Sequence, residues 1–508
     1  MARNLTTKVQ LSGYRLGVRR VEQAMTRRDA TMYNTPFSIQ TICFVVGIFI
    51  ACAIPVAGKA YGFFISNRGA DQGSAQIMLT KSGGRFVMYN NTLHAVTNLA
   101  SARLIIGKPD VPKVVKDDTL ANKSRGLLMG IPSAPDNLTQ RTDNVAQWTV
   151  CDKHTDVNEL SLTKSDSLST TLIAGTDTLT PAAAPLRTND AVLVDLASAP
   201  DQQWMIYKGQ RTLIGPSDMA ARAALNLSPD VAAHAIPISQ GLFNAIPAAP
   251  ALTAPYIANR GEVNPLLPQV RNGDVIVTAA ADGTRQYQVA LRGGVQRITE
   301  LITQLLINTG STEVTTLDRD QLANIPLVSD INTDNYPDRA PVFRQPHVLC
   351  WTWKKGAQDL RATATILTGE SLPIRDDDLS KVNDIKGTST SDATANASLT
   401  RPGAGWLTQI TGADPQSHAQ EQWMYIDDAG VRYLIGPDTD AAAGTKDVRQ
   451  AIAKTAEILG LGAQQPLPIP WAVAKLYAPG STLSRQAALT THVQLPDDLN
   501  QHPAAAPR

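Results

Sequence analysis

The feature that most constrains this chain is an apolar run from Thr41 to Ile65, TICFVVGIFIACAIPVAGKAYGFFI. It follows a short basic head and precedes a long remainder of ordinary polarity. A helix rising about 1.5 Å per residue crosses a bilayer core of about 30 Å with roughly 20 apolar residues. Ile42 to Tyr61 meets that length, interrupted by Pro55 and by Lys59 near one end. Proline is tolerated in membrane helices, and a terminal lysine reaches the headgroups. The run predicts a chain integral to a membrane, crossing it once, with nearly all its mass on one side.

Flanking charges predict which side. Arg3, Lys8, Arg15, Arg19, Arg20, Arg27 and Arg28 precede the run against Glu22 and Asp29. The first twenty residues after it hold Arg68, Lys81 and Arg85 against Asp71. Excess lysine and arginine marks the cytoplasmic flank, so the N-terminus is expected inside and the large part outside, in the periplasm. A cleaved signal peptide is the rival reading, with Gly58 and Ala60 imitating a cleavage site. A signal has a short basic region and a shorter apolar stretch, which argues against it.

With 508 residues and 43% hydrophobic content, the chain can bury a sizeable core in two or more units. A formal net charge of +1 gives no electrostatic case for binding nucleic acid. Two of the four cysteines, Cys43 and Cys52, lie in the apolar run. The others, Cys151 and Cys350, belong to the exported part, where a pair commonly forms a disulfide. Two buried free thiols are the alternative.

The exported part repeats itself. Gln203-Trp204-Met205 and Arg211-Thr212-Leu213-Ile214-Gly215-Pro216 return as Gln422-Trp423-Met424 and Arg432-Tyr433-Leu434-Ile435-Gly436-Pro437. A weaker pair links Phe86-Val87-Met88-Tyr89 to Gln288-Val289-Ala290-Leu291. Both cysteines sit in strand-like text, Trp148-Thr149-Val150-Cys151 and Val348-Leu349-Cys350-Trp351. A duplication of about 200 residues explains the order and predicts a pseudo-twofold molecule in which equivalent cysteines meet near the axis.

The expected fold class is therefore α+β: one transmembrane helix, a central β-rich core and four ββα modules. The head spans 1–40, the span 41–65 and the exported domain 66–508. Modules fall near 76–112, 200–250, 280–325 and 420–480, core segments near 130–160 and 340–370, and a flexible tail at 493–508. Within the modules, Thr97, Ser217 and Thr299 each precede an apolar-periodic run and read as helix caps. Trp204 and Trp423 read as module core, with carbohydrate stacking the lesser reading. Ser161–Asp190 and Asn383–Gly405 are polar and read as exposed loops.

In the head, Leu11, Tyr14, Val18, Val21 and Met25 recur at steps of three and four and form one helical stripe. Such a helix either lies on anionic lipid or docks on a cytoplasmic or membrane partner.

Motifs for chemistry are nearly absent. The glycine–lysine pairs Gly58-Lys59 and Gly107-Lys108 lack the leading glycine and closing hydroxyl of a phosphate-binding loop. No H-E-x-x-H or C-x-x-C occurs, and the seven histidines are scattered, so no metal site is expected. Gly215-Pro216-Ser217-Asp218-Met219 starts like a nucleophile elbow but lacks its last glycine. No catalytic residue and no cofactor are expected from these residues.

The head residues Gln10-Leu11-Ser12-Gly13-Tyr14-Arg15, Arg19-Arg20-Val21-Glu22 and Arg27-Arg28-Asp29, followed by one span, resemble the EccB family. So does Leu93-His94-Ala95-Val96-Thr97-Asn98-Leu99-Ala100-Ser101-Ala102-Arg103-Leu104-Ile105. The resemblance covers essentially the whole chain, and head and span look most like the paralogue of the fifth ESX system. It implies a core component of a type VII secretion complex in the inner membrane, a β-rich core with four peripheral modules, and a disulfide at Cys151 and Cys350. It also implies assembly with EccC, EccD, EccE and other EccB copies into a hexameric complex, with a mycosin protease on the outer side. An ATP hydrolase activity is often attached to the family, so ATP is the one cofactor the resemblance brings in. Two functions follow: a structural subunit of a secretion complex, or a membrane-tethered exported hydrolase.

Overall fold

The computed structural model describes residues 7–28, 42–48 and, apart from 155–167, 281–282, 386–393, 439–446 and isolated positions, 76–493. The chain falls into two compact units, 1–75 with 114–119 and 76–113 with 120–508. The expected span lies outside the described residues except for 42–48, which are helical. Among the described residues no helix is long and apolar enough to cross a membrane. The expected tail beyond Val493 also lies outside the described residues.

In the first unit, the head forms a helix over Lys8–Arg27. Thr7 N–H donates to Gln10 Oε1 at 3.1 Å, half of a capping box. At the other end Arg28 turns left-handed (φ 54°), and its N–H closes on the Ala24 carbonyl.

The second unit opens with an antiparallel meander, β1 (Ile77–Thr80), β2 (Arg85–Tyr89) and β3 (Thr92–Ala95). The helix Leu99–Ile106, β4 (Lys113–Val115) and β5 (Leu128–Met129) follow. Next come β6 (Val145–His154), β7 (Leu168–Ala174) and β8 (Ala183–Pro185). A second meander comprises β9 (Asp190–Leu196), β10 (Ala199–Tyr207) and β11 (Gln210–Ile214). After the helices Met219–Ala224 and Pro229–Ala233, β12 (Ile236–Ile238) returns parallel to β9 and leads into the helix Gln240–Ala245. A third meander, β13 (Val275–Ala279), β14 (Arg285–Leu291) and β15 (Gly294–Ile298), precedes the helix Glu300–Asn308 and β16 (Glu313–Val314), which is parallel to β13.

Then β17 (Val342–Arg344) joins β9, and β18 (Val348–Gly356), β19 (Thr363–Gly369), β20 (Asn383–Asp384) and β21 (Ala397–Leu399) follow. The fourth meander is β22 (Trp406–Thr411), β23 (Trp423–Ile426) and β24 (Val431–Leu434). The helix Val448–Leu459 precedes β25 (Leu467–Pro470), parallel to β22, and β26 (Ala478–Pro479), parallel to β24. Finally β27 (Thr491–His492) pairs with β5. The chain is a mixed α/β protein with several sheets.

Seven strands form the central sheet in the order β20-β21-β7-β6-β18-β19-β8. Its axis is the β6–β18 pair, nine residues long in antiparallel register. Each edge crosses over: β8 follows β7 in sequence but pairs with β19, and β21 follows β19 but pairs with β7. The three indoles Trp148, Trp351 and Trp353 are at most 1% exposed and pack with Leu242 and Phe243 in one cluster. Burying an aromatic of this size removes 150–250 Å² from water, about 4–6 kcal/mol by area as an upper figure.

The outer meanders pack in two pairs. Helix Leu99–Ile106 contacts helix Val448–Leu459, so Leu104 and Ile105 share a core with Ile452, Ala456 and Leu459. Helix Met219–Ala224 contacts Glu300–Asn308, joining Ala221 and Ala224 to Leu301 and Leu305.

Local chemistry differs from the sequence expectation at several points. Thr299 does cap its helix, accepting from Ile302 N–H. At the first module the cap is Asn98, whose side chain accepts from Ser101 N–H, while Thr97 Oγ1 donates to the Ile131 carbonyl. Asp218, not Ser217, caps Met219–Ala224 through Ala221 N–H. In both cases an amide or carboxylate oxygen one residue later reaches the free N–H. The expected loop Ser161–Asp190 holds the buried strand β7, in which Thr170 finds a partner inside: its Oγ1 donates to Asp152 at 2.7 Å. Asn383–Gly405 likewise contributes β20 and β21, with Leu399 2% exposed.

Candidate functional site

The head stripe is laid bare by the helix. Leu11, Tyr14, Val18, Val21 and Met25 are all exposed, and a shallow groove runs along Tyr14, Gly17, Val18, Val21, Glu22 and Met25. Nothing in that unit's described residues buries these side chains, so the stripe is chemically suited to receiving another helix or a lipid surface.

In the central sheet, Cys151 and Cys350 are direct partners in the β6–β18 register and form a disulfide with Cα atoms 4.0 Å apart. Both are wholly buried, in a cluster with Ile173, Val348 and Leu367. Thr149 and Thr352 hydrogen bond across the same pair at 3.0 Å. This is the covalent tie between the two halves of the chain.

Beside it lies a group that the sequence does not advertise. Asp152 is 0% exposed. Its Oδ2 accepts from Ser239 N–H at 2.7 Å, and its Oδ1 accepts from Ser239 Oγ at 2.9 Å and from Thr170 Oγ1. Ser239 caps the helix Gln240–Ala245, so the carboxylate ties that helix to β6 and β7. Burial pushes the Asp152 carboxyl up to about 6, outweighing the three donors, which act in the opposite sense. Two residues on, burial and the nearby His347 hold the His154 imidazole down to about 4. Three saturated acceptor contacts to protein donors make Asp152 a structural clasp rather than a reacting group. A lone Asp in a strand gives no signal from which this could be read.

Trp204 is half-buried, edge-on to Phe243 with ring centres 5.0 Å apart. The Arg211 guanidinium lies 5.2 Å from the indole and 3.8 Å from the Phe243 ring. Trp423 is also half-buried and packs against the core shared by the first and fourth meanders. The structure therefore sets the two tryptophans against different cores.

One polar cleft of about 610 Å³ opens where the central sheet meets the fourth meander, between Asp143, Lys355, Asp359, Gln409, His418 and Gln465. Its carboxylates are already engaged: Asp143 pairs with Arg141 at 2.9 Å, and Asp359 accepts from Gly356 N–H at 2.7 Å. Among the described residues no cluster of histidine, cysteine and carboxylate side chains could hold a metal ion. No nucleophile–base pair emerges from these contacts.

Known proteins resemble the chain over nearly its full length. The family model described as "Type VII secretion system ESX-1, transport TM domain B" matches residues 3–497. The "ESX-5 secretion system ATPase EccB5" of Mycobacterium tuberculosis (strain ATCC 25618 / H37Rv) is 32% identical over 99% of this chain and 97% of its own length. The "ESX-3 secretion system ATPase EccB3" of Mycolicibacterium smegmatis (strain ATCC 700084 / mc(2)155) is 34% identical over 96% of this chain and 91% of its own length. A chain of the intact ESX-5 inner membrane complex superposes with a TM-score of 0.71 at 28% identity, covering 100% of this chain and 99% of that one. A chain of the EccB3 dimer from the ESX-3 core complex gives 0.69 at 33% identity, covering 82% and 100%. Matched from head to C-terminal strand at this identity, the chain belongs to the EccB family.

Proposed function

We propose that this chain is a structural subunit of a type VII secretion complex in the inner membrane, crossing it once with its head in the cytoplasm. The observation that carries this reading is full-length similarity to a chain solved within an intact ESX-5 inner membrane complex. Its neighbours are then EccC, EccD, EccE and further EccB copies, with a mycosin protease on the outer side. The exposed head stripe docks inner-face partners, and the exported domain supplies assembly surfaces. The exported domain itself reads as a duplicated pair of modules. Support comes from the matched tryptophan motifs, the crossed edges of the central sheet and the two helix pairings described above.

Relatives carry "ATPase" in their names, which keeps a hydrolase as the second reading. Against it stands the sequence, which has no G-x-x-x-x-G-K-[ST] loop. Two truncations separate the readings. Removing residues before Phe37 should leave a folded chain in the membrane that no longer co-purifies with inner-face partners. Removing everything from Asn264 should abolish folding and secretion together. Finding one Ser, His, Asp or Glu whose replacement stops secretion while the complex stays intact would overturn the scaffold reading. Orientation has its own test: protease added outside spheroplasts should digest the chain after Ser66 and spare the head.

A further inference from the structure

Along the head helix, Leu11, Tyr14, Val18, Val21 and Met25 recur at the alternating steps of a coiled-coil seam, and all five are exposed. A 20-residue helix of mixed composition is marginal alone, so such a seam calls for a second helix. The flanking positions say which one. On one flank stand Arg15 and Glu22, of opposite charge and seven residues apart. On the other stand Gly17 and Ala24, too small to keep a neighbouring backbone at a distance.

We propose that the seam pairs with a second copy of the same helix, running antiparallel. In that register Val18 meets Val21 of the second copy, and Tyr14 meets Met25, each contact occurring twice. Arg15 then faces Glu22 of the second copy on one flank, again twice, while Gly17 faces Ala24 on the other. The overlap covers residues 12–27, about 24 Å of helix. A parallel pair sets Arg15 beside Gln10 and Glu22 beside Gly17, leaving both charges without a counterpart. Charge complementarity therefore selects the antiparallel arrangement, and confinement of both copies to one membrane raises their effective concentration. The inference deepens the docking role proposed for the head and rests on that reading for placing both helices on the same membrane face.

The test uses two differently tagged full-length copies, co-expressed, each with Cys43→Ser and Cys52→Ser. One carries Gly17→Cys and the other Ala24→Cys, and isolated membranes are oxidised with copper phenanthroline. The mixed pair should cross-link, whereas Gly17→Cys with itself and Ala24→Cys with itself should not. Adding Arg15→Glu to both copies should lower the cross-linked fraction several-fold, and Glu22→Arg on top should restore it. An intact Cys151–Cys350 bridge on a non-reducing gel checks folding of every variant. Self-cross-linking of Gly17→Cys as strong as the mixed pair, absence of the mixed product, or indifference to charge reversal each overturns the proposal. If partners are lost with the head yet no cross-link forms, self-pairing falls and docking stands. If the cross-link forms while the headless chain keeps its partners, docking falls and self-pairing stands.

Discussion

Replacing both Cys151 and Cys350 by alanine tests the claim that the halves are held at the β6–β18 seam. The bridge closes a loop of 199 residues, for which the chain-entropy model gives about 5 kcal/mol, an upper figure in a measured range of about 2–5. Alanine is preferred to serine here because both sites are 0% exposed, and a buried hydroxyl without a partner would add about 1–3 kcal/mol of its own. An unfolding entropy near 2.1 cal/mol/K per residue, over the residues from 76 to 493, comes to roughly 0.9 kcal/mol/K. The double variant should therefore melt about 2–6 °C lower. Scanning calorimetry measures that shift. Indole fluorescence follows the same site, since Trp148, Trp351 and Trp353 flank the bridge. Native protein should keep the bridge in reductant until it unfolds, because both of its cysteines are 0% exposed. Equal melting temperatures for the oxidised protein and the double variant would refute the reasoning.

Asp152→Asn should change the pH profile of stability. A carboxyl raised to about 6 favours folding fully below its unfolded value near 3.8, and that contribution is lost as pH rises through 6. The wild type should therefore lose about 2 kcal/mol relative to the variant between pH 4 and 7, read by urea unfolding; a constant difference refutes the assignment. Gly130 sits at φ +126°, where an added Cβ would crowd the Thr97 hydroxyl and lie 2.9 Å from Ser101. Gly130→Ala should cost about 2–4 kcal/mol by the same assay, and a loss under 1 would show that the turn relaxes. Trp204→Ala removes the Phe243 edge contact and the Arg211 stack and should cost about 2–3 kcal/mol, with unchanged stability contradicting a packing role.

What was legible in the sequence had a local cause. The head stripe follows from helical period, and the cysteine strands were visible as β-branched and aromatic runs around Cys151 and Cys350. Thr299 caps its helix as a hydroxyl should. Elsewhere competition between neighbours decided the outcome. Thr97 precedes Asn98 and Ser217 precedes Asp218, and the later, better acceptor takes the cap in each case. Strand β7 reads as polar because Thr170 and Thr171 are buried, Thr170 on Asp152, 18 residues earlier in the chain. The clasp at Asp152 depends on Ser239, 87 residues away, and no periodicity carries that information.

The pairing of β27 with β5 has a consequence for how the molecule comes into being. Gly130 N–H donates to the Thr490 carbonyl, and the His492 ring meets the Gly130 carbonyl across 362 residues. The β5 strand beside the first meander is therefore without its partner until β27, the last strand of the described residues, exists. At ribosomal speeds of about 5–20 residues per second, that delay is roughly 20–70 s. For most of this interval the later members of that core, Ile452, Ala456, Leu459 and Leu483, have not been made, and the part of it that they cover stands open. A nascent chain of this kind needs custody before it needs a partner, and its C-terminal strand acts as the latch that ends the wait.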